Sequence, residues 1–244
     1  MSGWFAVYYR ELLILKRRFF RQVASMAVAP LLYLIAFGLG MGGSVTVDGR
    51  SYMEFLIPGL IAMTSMTQAF AIASEINVAR FYWRIFEEFQ AAPIRDIAYV
   101  TGEIMAGITR ALLSVVIIIL LSLLFGIHLS FNFFFWLGVL LNSFVFASLA
   151  VCLAMLVKAH GDQFLLTNFI ITPMAFLGGT FFPVERMPTW VQNSLHFLPI
   201  THAAKSIRAA SFGKAPQLEP YAIMAVLGLI FFALAFRCVN KARD

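Results

Sequence analysis

Glu87-Glu88 is the first pair in this sequence to inspect for acid–base chemistry. Neighbours on a helix project about 100° apart, so the two carboxylates are poorly placed to act on one substrate atom. They lie in a polar stretch, Arg80 to Ile97 (RFYWRIFEEFQAAPIRDI), with Arg80, Arg84, Arg95, Asp96 and a run of aromatics. His160 and Asp162 could ligate a metal, but one imidazole beside one carboxylate falls far short of a ligand set, and a solvated turn is expected there. Arg110 sits inside an apolar run, seven residues after Glu103 and so on nearly the same helix face. Such an ion touches substrate, snorkels to headgroups or pairs with Glu75 or Glu103; the last two are preferred over substrate contact. No G-x-x-x-x-G-K-[ST], H-E-x-x-H or G-x-S-x-G motif occurs. No catalytic, cofactor-binding or metal-ligating residue is therefore expected, and the chain is not read as an enzyme.

The 244 residues are 61% hydrophobic and 12% charged, against about 25% charge for a soluble domain. Mean hydropathy is +0.86. One core cannot bury that much apolar surface, so lipid must solvate the remainder. The net charge of +6 does not indicate nucleic acid, because the cations flank apolar runs instead of forming a basic domain. Cys152 and Cys238 lie in or at the end of apolar runs and imply no disulfide framework.

The elements that position these residues read as an all-α integral membrane protein forming one domain, 1–244. Six transmembrane helices are predicted at 23–42, 57–75, 103–127, 133–157, 164–182 and 220–237. An amphipathic interfacial helix is predicted over 3–21, with Trp4, Phe5, Tyr8, Leu12, Leu15 and Phe19 on one face and its cations near headgroups. Segment 183–219 is too polar to span and too aromatic for a free linker, so short outer, re-entrant helices are expected. Gly38, Gly40, Gly42 and Gly43 mark an exit turn or a close helix contact, with the turn preferred. Twelve basic residues fall on the side of the termini and five on the other, which puts both termini and segment 80–97 in the cytosol. Six spans are few for a complete path, so a homodimer or pairing with a similar subunit is expected.

Three stretches resemble a known family: Ser51 to Leu60 (SYMEFLIPGL), Phe86 to Ile94 (FEEFQAAPI), and Gly178-Gly179 through Pro199-Ile200-Thr201-His202 to Arg208. They are similar to the membrane permease subunit of ABC-2 type exporters of drugs, lipids and polysaccharides, and the likeness covers nearly the whole chain. Phe89 stands where that family more usually has Leu. The resemblance implies a half-transporter that dimerises in the bacterial inner membrane and binds two copies of a separate P-loop ATPase. ATP and Mg would belong to that partner. It makes 80–97 the coupling segment, with Phe86, Glu87, Glu88, Phe89, Pro93 and Ile94 meeting the ATPase. It suggests Thr64, Thr67, Gln68, Asn168, Thr172 and Phe176 as pathway lining, and Phe181 and Phe182 as an outer gate. Pro199, His202 and Arg208 carry the family signature, His202 and Arg208 being expected to pin the outer helices. The implied substrate is a drug, lipid or lipid-linked glycan; the alternative is a secondary transporter driven by an ion gradient.

Overall fold

The computed structural model describes residues 3–40, 46–47, 49–83, 85, 88 and 94–243. Helix α1 spans Gly3–Arg17 and buries Val7, Glu11 and Leu15, a line of residues spaced by one helical turn. Its Trp4, Tyr9 and Leu13 remain exposed. Of the expected stripe, Leu15 is buried, Phe5, Tyr8 and Leu12 are half-buried and Trp4 is exposed. The chain breaks at Arg18 and resumes as α2, Phe19–Tyr33, which continues as a π-helical turn over Leu34–Leu39.

A two-residue hairpin follows, β1 Thr46–Val47 pairing antiparallel with β2 Arg50–Ser51. Gly49 turns it with φ 75°, a conformation that costs other residues a steric clash. Helix α3, Tyr52–Phe70, then starts earlier than the hydropathy suggested. Ser51 accepts from the Glu54 amide at 3.3 Å while Glu54 accepts from the Ser51 amide at 3.2 Å. This capping box converts a polar loop into a first helical turn. Helix α4, Ile72–Phe81, carries the same crossing onward. Helix α5, Asp96–Leu124, also begins ahead of its expected boundary. Helix α6 is Phe133–Leu156, capped by the Asn132 side chain accepting from the Phe135 amide at 2.9 Å.

Helical pieces α7, His160–Leu166, and α8, Thr172–Leu177, flank a second π turn, Thr167–Ile171. A 3-10 turn, Val184–Arg186, precedes α9, Thr189–Leu195, and α10, Pro199–Ser211. Pro199 at the first position of α10 gives up no helical hydrogen bond. The buried Ile200, Ala203, Ala204 and Ile207 seat α10 on α3 and α6. Helix α11 closes the chain over Leu218–Arg243.

Among the described residues, five helices are long and apolar enough to cross a membrane: Phe19–Gly38, Tyr52–Phe81, Asp96–Leu124, Phe133–Leu156 and Leu218–Ala242. The expected span 164–182 is not among them, because two π-flanked helical pieces with Asp162, Gln163 and Asn168 take its place. That segment nevertheless follows the central helix. Gln163 accepts from the Asn77 side chain at 3.0 Å near one end, and the Thr180 backbone packs on Gly59 near the other.

Burial shows which helix is central. In Tyr52–Phe81 the protein buries 83% of the apolar window, but 17% in Phe19–Gly38 and 22% in Leu218–Ala242. The α3–α4 column is therefore enclosed, and the first and last helices are left mostly uncovered by the rest of the chain. At its middle Asn142 of α6 donates to the Ala62 carbonyl at 2.9 Å and to Ser65 at 2.8 Å, a polar tie between helices of the kind lipid-embedded bundles use. Of the candidate glycines, Gly38 is a contact: a Cβ there would meet Met53 Cε. Gly40 faces open space, and Gly42 and Gly43 lie outside the described residues.

A side chain at Gly59 would strike the Thr180 carbonyl, whereas one at Gly40 meets nothing. Gly59→Val should therefore cost about 1–3 kcal/mol of stability by overpacking, and Gly40→Ala should leave it unchanged. Thermal melts of the purified protein in one detergent check the contrast.

Candidate functional site

The polar stretch 80–97 leaves the bundle at the end of α4 and returns at the start of α5. Phe86, Glu87, Phe89 and Pro93 lie outside the described residues. Glu88 is exposed and Ile94 is half-buried, packed against Gly3 of α1, where a Cβ would sit 3.4 Å from Ile94. The described aromatics at the start of the stretch point to solvent: Phe81, Tyr82 and Trp83 are 36%, 68% and 46% exposed.

Both exits of the stretch are anchored. Arg80 donates to the Ala154 carbonyl at the end of α6. Asp96 accepts from the Asn240 side chain of α11 at 2.9 Å. These contacts put the ends of α4, α6 and α11 together with the start of α5, on the side of the termini.

Directly behind these exits lies an ion network inside the protein. Arg10 of α1 binds its neighbour Glu11 at 2.5 Å and reaches Glu103 of α5 at 3.2 Å. Arg110 of α5 binds Glu75 of α4 at 3.2 Å and approaches Glu11 at 3.7 Å. Glu103, Glu11 and Arg110 are all but removed from solvent, at 0%, 2% and 4% exposure. Burial disfavours the Arg10 charge, but Glu103 and Glu11 outweigh it and hold its pKa above the ordinary value. Three helices are thereby fastened through charge. Tyr8 adds a hydroxyl contact to Thr109 at 2.9 Å. Gly102 lets α1 and α5 touch, since a Cβ there would come within 2.7 Å of Val7.

The Arg110–Glu75 pair was one of the partners the sequence suggested, and snorkelling is excluded by the residue's burial. Glu11 is the partner that was missed. Glu103 pairs with Arg10, a residue the helical wheel had placed toward headgroups. The signal available was a carboxylate one turn from Val7 and Leu15 on a helix otherwise short of acids.

At the opposite end, Phe181 is buried against Tyr33, Phe37 and Phe176, with ring centroids 5.1, 5.5 and 5.3 Å away. Its carbonyl accepts from the Tyr52 hydroxyl at 2.8 Å. Phe182 is exposed. Arg208 lies 3.9 Å over the Phe55 ring and donates to the Gly179 carbonyl at 2.8 Å. His202 Nε2 donates to the His196 carbonyl at 2.8 Å. Thr64 is buried with its hydroxyl bonded to the Leu60 carbonyl at 2.9 Å. Thr67 and Gln68 are half-buried, and Asn168, Thr172 and Phe176 are exposed. Within one chain these six residues are thus divided between the interior and exposed positions.

A bundle of apolar helices long enough to cross a membrane, with an ion network behind a polar loop, is the build of an integral membrane protein. The pattern of the ABC-2 type transporter family matches residues 2–212, and the chain belongs to that family. It is similar to the inner membrane transport permease YadH of Escherichia coli strain K12, at 28% identity over 93% of this chain and 91% of the relative. Nodulation protein J of Rhizobium meliloti strain 1021 is 31% identical over 86% of this chain and 82% of the relative. Nodulation protein J of Sinorhizobium fredii is 29% identical over 92% and 89%.

Arg110→Leu should leave the half-buried Glu75 unpaired and the buried Glu11 with Arg10 alone, lowering stability by about 1–3 kcal/mol. Arg110→Lys, which keeps the charge, should lose less, and melting midpoints of the two variants check the order. Burial sets the His202 pKa below its ordinary value, with the His196 carbonyl, Glu219 and Lys205 also acting on it. A lowered imidazole pKa stabilises the fold above the unfolded value of about 6.5, and that gain is lost as pH falls through the folded value. The melting midpoint should fall on acidification below about pH 6.5, with a shallower slope in His202→Gln.

Proposed function

We propose that this chain is the membrane half of an ATP-binding cassette exporter of the inner membrane, moved by a separate P-loop ATPase. The observation that carries the reading is the ion network of Arg10, Glu11, Glu75, Glu103 and Arg110, set where the loop 80–97 leaves and rejoins the bundle. A push on that loop cannot dissipate in α4 or α5 alone. It is shared at once with α1, because separating the buried charges costs several kcal/mol. Exposed Tyr82, Trp83 and Glu88 offer a partner aromatic anchors and an acid. Nucleotide binding by two such ATPases would draw the loops together and shift the bundle between states of different substrate affinity.

Six crossings fit this role, with segment 160–180 as the fifth. In its favour, it joins the levels of Asn77 and Gly59, separated along the central column by 18 residues, about 27 Å of helix. The excess of cations on the side of the termini favours cytosolic ends, and the printed name of the Escherichia coli relative favours the inner membrane. The exposed Asn168, Phe169, Thr172 and Phe176, beside a weakly covered α2, supply a face for a second copy. The path would then lie between copies and carry a hydrophobic or amphipathic molecule such as a drug, lipid or lipid-linked glycan. The rival, a carrier driven by an ion gradient, needs mid-depth ions free to exchange. Arg110 is instead engaged by two carboxylates.

Affinity purification of the tagged chain from native membranes should recover a P-loop ATPase identified by mass spectrometry. Tyr82→Ala with Trp83→Ala, and separately Glu87→Arg with Pro93→Gly, should cut ATPase recovery or uncouple hydrolysis from export by about tenfold. Variants that keep full recovery and coupled export would remove the coupling role from this loop.

A further inference from the structure

We infer that the end of the molecule opposite the termini carries a binding site for a phosphate-bearing anionic headgroup. A cavity of about 700 Å³ opens there, within the range of small-molecule sites. Its walls come from the hairpin, the turn at Gly178-Gly179, the 3-10 turn, α10 and the start of α11. Four cations line it, Arg50, Lys205, Arg208 and Lys214, against one acid, Glu185. Like charges gathered in one concavity repel unless an anion offsets them, and a concave wall of low dielectric concentrates their field.

The two guanidinium groups are held in place by rings, Arg50 lying 4.3 Å over Phe212 and Arg208 3.9 Å over Phe55. Arg208 spends its edge on the Gly179 carbonyl and contributes fixed positive charge, whereas the stacked and exposed Arg50 presents a planar guanidinium fork of the kind that pairs with phosphate oxygens. The lysines are exposed point charges suited to the remaining phosphate oxygens. Val47, Phe55, Val184 and Phe212 make part of the wall apolar, which fits the glycerol or acyl root of an amphiphile better than a bare inorganic ion. The site stands at the far end from the loop 80–97, and its test needs no ATPase.

The test uses the full chain in neutral detergent, titrated with phosphatidylglycerol or phosphatidylcholine and read by native mass spectrometry. The wild type should retain phosphatidylglycerol over phosphatidylcholine. The triple variant Arg50→Gln, Lys205→Gln, Lys214→Gln alters exposed side chains and should melt like the wild type. It should lose phosphatidylglycerol affinity by about tenfold or more. The control triple Lys158→Gln, Arg237→Gln, Lys241→Gln, exposed at the other end, should retain it. Equal retention by the two triples, or loss in the control alone, would overturn the site. Displacement of the lipid by millimolar pyrophosphate would assign the pocket to a soluble phosphate; lipid that stays bound would assign it to a membrane headgroup.

Discussion

An ion removed from water must find its opposite within reach, and in this protein that requirement ties the bundle together at one end. The desolvation cost of Glu11, Glu103 and Arg110 is met only while α1, α4 and α5 stay in register. Helix α1, fifteen residues long, would be a loosely held surface helix if its apolar stripe were all that attached it. Charge and the Gly102–Val7 contact make it part of the bundle. The loop 80–97 thus hangs from a braced frame, with Arg80 and Asp96 securing its two exits to α6 and α11.

The opposite end is built on different chemistry. There the chain relies on rings and carbonyls: Phe181 among Tyr33, Phe37 and Phe176, Tyr52 on the Phe181 carbonyl, Arg208 on Gly179. Such contacts are individually weaker than a buried ion pair and tolerate small sliding. The enclosed α3–α4 column joins the two ends, and the Asn142–Ser65 tie fixes its rotation against α6 midway. The two ends thus differ in what holds them, buried ion pairs at one and ring and carbonyl contacts at the other.

The crossings Tyr52–Phe81, Asp96–Leu124, Phe133–Leu156 and Leu218–Ala242 were legible because hydropathy reads directly as partition into lipid. The starts of the first two were less so, whereas Phe133 begins its helix where expected. The capping box of Ser51 and Glu54 was written in the sequence, but apolar counting passed over it. Arg110 found an anticipated partner because few acids could reach it. Glu11 was hidden because an amphipathic helix at a membrane surface is normally assumed to keep its charges wet. The segment after His160 falls short by apolar counting because Asp162, Gln163 and Asn168 interrupt it, yet Gln163 is buried and accepts from Asn77 of α4. Residues proposed to line a path are divided between the interior and an open face of one chain, and no single sequence encodes which face of a second copy they meet.

The two π turns, Leu34–Leu39 and Thr167–Ile171, occupy the first crossing and the segment after His160. Each holds a surplus residue relative to α-helix, so everything beyond it is twisted by about 100°. Phe37 lies within one turn and Phe176 just past the other, and both rings rest on Phe181. Absorbing the surplus in either helix would exchange one ladder of hydrogen bonds for another and swing its phenyl ring away from that seat. The seat of Phe181 is therefore tied to two surplus residues, so deleting one residue from either π turn would turn a ring out of it while leaving the helix intact.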